Sequence, residues 1–220
     1  MQHKIKIALK QELPGWKSHI KLAPMERLES IRNQHIKTDS KQSAVLLILF
    51  KENDQIKILF ILRSEYDGAH SGQISFPGGQ KELADADLRA TAVRETFEEI
   101  GLIFKTEELL GKLSDLYIPN SNFIVSPYVT YFDCNLAHLK PDPVEVQQIF
   151  KIALSDLMDE HSIKISEVLA RGKQSLKAPC FCIDSLKIWG ATAMILNELL
   201  DILRANTICV STQKKMRTKN

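Results

Sequence analysis

Phe76-Pro77-Gly78-Gly79-Gln80-Lys81-Glu82, followed after ten residues by Val93-Arg94-Glu95-Thr96-Phe97-Glu98-Glu99-Ile100-Gly101-Leu102, is the stretch that decides the fold. Two glycines precede a segment of helical periodicity from about Asp87 to Ile100, and Gly101 stands where a left-handed C-cap belongs. On a wheel of about 100° per residue, Glu95, Glu98 and Glu99 share one arc of about 100°, with Ala90, Val93, Phe97 and Ile100 opposite. The expectation is a helix that buries the apolar face and presents the acidic one.

Two carboxylates about 5 Å apart repel by roughly 3 kcal/mol at an effective dielectric of about 20, so such a face has a use for a counter-charge. Hard divalent cations bind carboxylate oxygens and also grip phosphates. Arg94, four residues before Glu98, is spaced to pair with it and orient it. Gly78-Gly79 allows close backbone approach or positive φ, as a loop around a metal or an anion requires. Taken singly these signals are ordinary, because a Glu-rich helix face is usually solvated and a Gly-Gly pair usually makes a turn.

The flanks read as alternating strands and helices. Ala44–Phe50 and Ile56–Leu62 are apolar runs around an Asn53-Asp54 turn, a buried hairpin. Further strands are expected near Leu109–Tyr117, Phe123–Phe132, Gln147–Ile152 and Cys180–Ile183. Amphipathic helices are expected over Ser18–Asn33, interrupted at Pro24, and over Trp189–Leu203. Mixed strands with helices at separate places indicate a layered α/β domain.

The 220 residues suffice for one domain with a sizeable core, plus an appendage. With 44% hydrophobic and 25% charged residues and a mean hydropathy of −0.13, the chain is neither disordered nor a disulfide scaffold. Ala44–Phe50, the longest apolar run, falls far short of the roughly 20 residues of a membrane span, and no signal-peptide core follows the first lysines; a cytoplasmic location is expected. Of the four cysteines, Cys180 and Cys182 share a strand face; all read as small buried thiols rather than disulfide or metal partners. Residues 1–42 hold nine Lys or Arg against four Asp or Glu, and 211–220 hold four basic residues and no acid, so the net +2 of the chain leaves 43–210 at −7. The expected organisation is therefore a basic, partly helical extension over 1–42, a main domain over 43–210 and a basic tail over 211–220. Neither aromatic interleaving nor zinc-ligand spacing accompanies the basic ends, so no nucleic-acid partner is expected. The apolar strands and the long terminal helix leave room for a homodimer.

In order and spacing, the central stretch resembles the Nudix box, GX5EX7REUXEEXGU with U aliphatic. Arg94 to Leu102 matches every fixed letter except that Thr96 replaces the first U. In the first half Asp85 stands for the Glu, and Asp85 to Arg94 is one residue longer than the general pattern; that form resembles the coenzyme A pyrophosphatase branch. Leu62-Arg63-Ser64, Gly72–Gly79, Phe123–Pro127, Glu145–Leu154 and Ile188–Ala193 are similar to that branch as well. One position departs: Gly68 stands where the branch's coenzyme A signature carries an Arg, and Arg63, His70 or Lys81 are the candidates to replace it.

The resemblance implies an α/β/α sandwich around a mixed sheet, with an N-terminal helical extension. It also implies hydrolysis of a nucleoside diphosphate derivative, coenzyme A or a related nucleotide, with ADP-ribose- or NADH-type dinucleotides as the alternative. A nucleotide-sensing module without activity is a further alternative, expected to have lost the metal-binding carboxylates that here remain. Mg²⁺ or Mn²⁺ would be held by Glu95, Glu99 and Glu98, with Gly79 beside them. Glu95 is the first candidate for general base and Glu145 the second, with Arg94 orienting. Gly78 and Gly79 would approach the phosphates. Phe123 and Tyr117 either stack on a base or pack the core.

Overall fold

Along Leu46 to Phe50 the side chains alternate between two cores: Leu46, Ile48 and Phe50 enter one, Leu47 and Leu49 the other, and all five are fully buried. A strand buried on both faces must lie in the middle of a layered structure. It is β1 (Lys41–Glu52) of the computed structural model, which describes residues 1–25, 28, 36–64, 72–136, 138–169 and 175–208.

In chain order the elements are α1 (Gln2–Ala8), α2 (Trp16–His19), β1, β2 (Gln55–Arg63), β3 (Ile74–Ser75), β4 (Gly78–Gln80) and α3 (Leu88–Ile100). There follow β5 (Leu109–Lys112), β6 (Leu116–Ile118), β7 (Phe123–Phe132), β8 (Val146–Ala153), α4 (Leu154–Met158), β9 (Ile163–Leu169), β10 (Ser175–Ile183), β11 (Leu186–Trp189) and α5 (Gly190–Ala205). The main sheet runs β3-β2-β1-β7-β5, with β4 on β1, β6 on β7 and β8 on β2; β1 and β7 are parallel and the other pairs antiparallel. β9, β10 and β11 form a separate antiparallel sheet. Ile100 of α3 belongs to one core, and α5 contributes eight buried apolar side chains from Ala193 to Leu203 to the other. The fold is thus the expected α/β/α sandwich on a mixed sheet.

The β1–β2 hairpin turns at Asn53 and Asp54, both at positive φ (50° and 59°), a conformation these two residue types tolerate better than most. α3 starts at an Asp87 N-cap whose carboxylate accepts from the amides of Arg89 and Ala90, and it ends at Gly101 in the left-handed region. Three expectations need correction. Leu109–Tyr117 is two strands, β5 and β6, because the chain leaves the ladder between Lys112 and Leu116. Ser18–Asn33 is not one helix: α2 runs into a 3₁₀ turn at Ile20–Leu22, and Ala23, ahead of Pro24, is extended. The remainder of that stretch lies outside the described residues except Met25 and Leu28. The third concerns α3, whose buried face is not its apolar one; Phe97 is 52% exposed, while Thr91, Ala92, Thr96, Glu99 and Ile100 are buried.

Ile5, Ala8, Leu9, Leu22 and Ala23 join the same core as α5. There Glu198, wholly buried on α5, accepts from the His19 imidazole (2.9 Å), the Ser114 hydroxyl (2.6 Å) and the Gly15 amide (3.1 Å). Cys180 and Cys182 are free thiols with sulfurs 3.7 Å apart, and Cys134 is exposed rather than buried. Among the described residues no helix is long and apolar enough to cross a membrane.

Candidate active site

The small residues on the inner face of α3, Ala92 and Thr96, let the helix lie close against β1 and β4. That approach explains why Glu99 is buried: the Gly78 amide donates to its Oε2 at 2.8 Å, and Arg63, at the end of β2, donates to its Oε1 at 2.9 Å. A buried carboxylate needs such partners, and the apolar arc of the wheel offered none. Phe97 is displaced outward as a result.

Gly78 has φ +146°, and a Cβ there would lie 2.2 Å from the Ala44 carbonyl oxygen. At Gly79 a Cβ would lie 2.3 Å from a carboxylate oxygen of Glu95. The glycines therefore serve two ends: the first passes under the β1 backbone, and the second admits the Glu95 carboxylate against the chain. Gly78→Ala is expected to destabilise the fold by about 3 kcal/mol or more, because backbone must move. Gly79→Ala is expected to leave the melting temperature nearly unchanged while displacing Glu95 and lowering turnover about tenfold or more. Thermal melts set beside initial rates for the two variants check this contrast.

Arg94 is the centre of the outer half. Its Nε and Nη2 donate to the two oxygens of Asp85, each at 2.9 Å, and its Nη1 reaches Glu98 (2.7 Å) and Glu95 (3.0 Å). The expected Arg94–Glu98 pair is present, and Asp85, unassigned from the sequence, takes the bidentate bond that sets the guanidinium plane. Asp85 also accepts from the Glu82 amide and the Thr91 hydroxyl. The Arg94 guanidinium holds the Asp85 carboxyl well below the usual carboxylate range, and Asp85 in turn raises Arg94.

Burial pushes Glu99 up to about 7 against the opposing pull of Arg63 and the Gly78 amide, with Glu95 and Glu145 adding repulsion. Burial raises Glu95 as well, only partly offset by Arg94. Glu145, exposed on the loop before β8, adds its charge to the causes that raise both. Asp85, Glu95, Glu98 and Glu99 face two guanidinium groups, Arg63 and Arg94. The site carries a surplus of hard oxygen donors, a set that suits Mg²⁺ or Mn²⁺. Among the described residues no three carboxylate, imidazole or thiol groups already converge on one point, since Glu98 turns to Arg94 and Glu99 to Arg63.

Beside the glycines opens a cavity of about 370 Å³ lined by Arg63, Gly78 and Gly79 together with β3, β6, β7 and the start of α5. Phe123 is on its wall, while Tyr117 donates its hydroxyl to Asn122. Of the candidates to replace the missing arginine, Arg63 is in place but engaged with Glu99, and Lys81 is not among the described wall residues. His70 and Gly68 lie outside the described residues.

The profile of the NUDIX domain matches residues 40–171. The "Mitochondrial coenzyme A diphosphatase NUDT8" of Homo sapiens is 31% identical over 166 residues, 75% of this chain and 70% of that protein. The Nudix hydrolase NudL of Photorhabdus laumondii is 30% identical over 162 residues, covering 74% of this chain and 85% of its own length. Among solved structures, a MutT/nudix family protein from Enterococcus faecalis superposes with a TM-score of 0.52 at 11% identity, over 88% of this chain and 73% of that one, a likeness of fold alone. The chain belongs to the Nudix family. It is a pyrophosphohydrolase whose sequence resembles the coenzyme A pyrophosphatase branch of that family.

Proposed function

We propose that the protein hydrolyses the pyrophosphate bond of a nucleoside diphosphate derivative, coenzyme A before others, with Mg²⁺ or Mn²⁺. The observation that carries this reading is the apposition of two carboxylates and two glycines: Glu99 bonded to the Gly78 amide, and Glu95 filling the space a side chain at Gly79 would need. Relatives named as coenzyme A diphosphatases, at 31% and 32% identity, support the choice of substrate.

The roles follow from chemistry. Glu95, Glu98 and Glu99 would hold the cation, with Gly79 alongside. When bound, the ion neutralises the diphosphate and lowers the pKa of water. Glu95, or Glu145 from its loop, takes the proton of the water that attacks phosphorus; the phosphoanhydride P–O bond breaks and the departing phosphate carries the electron pair. Arg94, fixed by Asp85, orients Glu95 and Glu98. Arg63 fixes Glu99.

A panel of coenzyme A, dephospho-coenzyme A, ADP-ribose and NADH, each assayed with Mg²⁺ and with EDTA, tests the proposal. Cleavage of coenzyme A to a phosphopantetheine and an adenosine bisphosphate, abolished by EDTA, is the expected result. Faster turnover of ADP-ribose or NADH would move the substrate to dinucleotides. Equal rates for coenzyme A and dephospho-coenzyme A would mean that Gly68 has cost the enzyme its selection for the 3′-phosphate.

A further inference from the structure

The walls of the cavity beside the glycines are largely apolar, with Ser43, Gln73, Ser75, Gln80, Ser121 and Thr192 as polar residues among them. Val45, Ile74, Ile118, Phe123, Val125 and Ile195 supply its apolar surface. Arg63 is its only charged lining residue among the described ones, and its guanidinium is bonded to Glu99 at the catalytic end. Ser75, on β3, and Ser121, in the turn between β6 and β7, also line it; both hydroxyl oxygens are buried and find no hydrogen-bond partner among the described residues. A buried hydroxyl without a partner costs about 1–3 kcal/mol, so two of them on one cavity wall are a standing preference for a ligand that hydrogen-bonds. Thr192, at the start of α5, already spends its hydroxyl on the Ile74 carbonyl and closes that side of the wall.

Resting on the substrate reading above, we propose that this cavity holds the uncharged arm of the substrate, the pantetheine chain, with the Ser75 and Ser121 hydroxyls bonded to its amide groups. The argument is one of charge. A coenzyme A molecule has two ends on either side of its pyrophosphate: an adenosine with a doubly ionisable 3′-phosphate, and a neutral chain of methyl groups and amides. Desolvating a phosphate against largely apolar walls, where the one charged lining residue among those described, Arg63, is bonded to Glu99, carries a large penalty, whereas the methyl groups of the other arm gain by leaving water. A volume of about 370 Å³ lies in the range of small-molecule sites, and amide groups supply the acceptors and donors that the two serines lack. The adenosine end is thereby assigned to the open side of the site.

The two halves of the substrate separate the possibilities. Pantetheine and adenosine 3′,5′-bisphosphate are each titrated by protein-observed NMR into the full chain, as wild type, Ser75→Ala/Ser121→Ala and Ser121→Leu. The expected result is that pantetheine binds, that the double alanine variant weakens it at least tenfold, and that Ser121→Leu removes it. Bisphosphate binding should change less than twofold in both. In coenzyme A hydrolysis the double variant should raise KM about tenfold with kcat held within twofold. Absence of pantetheine binding, or loss of bisphosphate binding instead, overturns the proposal; so does pantetheine binding that ignores both variants in chains whose melting temperature is unchanged. Wild-type chain that binds pantetheine in this serine-dependent way yet leaves coenzyme A uncut would sink the substrate reading alone. Cleavage of coenzyme A with no response in the variants would sink the cavity assignment alone.

Discussion

Glu99→Gln is expected to lower kcat for pyrophosphate hydrolysis at least 100-fold, about 2.7 kcal/mol of transition-state stabilisation, in a chain that still folds. Glutamine has the shape of the side chain it replaces and keeps an oxygen for the Gly78 amide, which now lies 2.8 Å from Glu99. What it loses is the charge. That charge is disfavoured where it stands, since burial raises the Glu99 carboxyl to about 7, and an enzyme gains nothing in stability by keeping it there. The companion variant Glu98→Gln touches an exposed carboxylate already paired with Arg94 at 2.7 Å, so its loss should be smaller than that of Glu99→Gln. Steady-state rates in saturating Mg²⁺, with circular dichroism to verify the fold, decide the matter. A wild-type rate for Glu99→Gln would remove the assignment of roles.

The second large effect lies far along the chain from the box. Glu198→Ala is expected to cost about 3–5 kcal/mol of folding stability, because it leaves the buried His19, the Ser114 hydroxyl and the Gly15 amide without their acceptor. Against a total of about 5–15 kcal/mol for a typical domain, that is a loss visible in any urea titration. Burial acts to raise the Glu198 carboxyl, but hydrogen bonds from His19 and Ser114 outweigh it and hold the group below its ordinary 4.5. A depressed carboxyl contributes stability that is fully present above its unfolded value and is lost as the pH falls through its folded one. The difference between wild type and Glu198→Gln should accordingly be constant near neutrality and shrink as the pH falls below about 4.5 and through the depressed value. A difference that grew on acidification would contradict this account.

How much was legible in advance varied with the range of the interactions involved. The hairpin β1–β2, the caps of α3, the length of β7 and the position of α5 are set by near neighbours, and the expected boundaries differ from the observed ones by at most three residues. β9 and β11 were not foreseen: β9 leaves Ile165 and Leu169 exposed, and the short β11 is a strand through its pairing with β10. The three glutamates, Arg94 and the two glycines were singled out by spacing because they lie within one loop and one helix, and the structure brings them together. Asp85 was visible only as a departure from a pattern, although nine residues before Arg94 it turned out to hold the guanidinium through both oxygens. Nothing in the order of residues indicated that Ser75 and Ser121 would lie on one wall.

By itself, then, the sequence determined the family, the identity of the acidic cluster and the local elements that carry it, since each depends on periodicity and caps read within a few residues. The tertiary structure decided which face of α3 is buried. A helical wheel ranks side chains by their affinity for water, and here a backbone amide of β4 and a guanidinium from β2, brought in across 21 and 36 residues, made burial of a carboxylate preferable to burial of a phenyl ring.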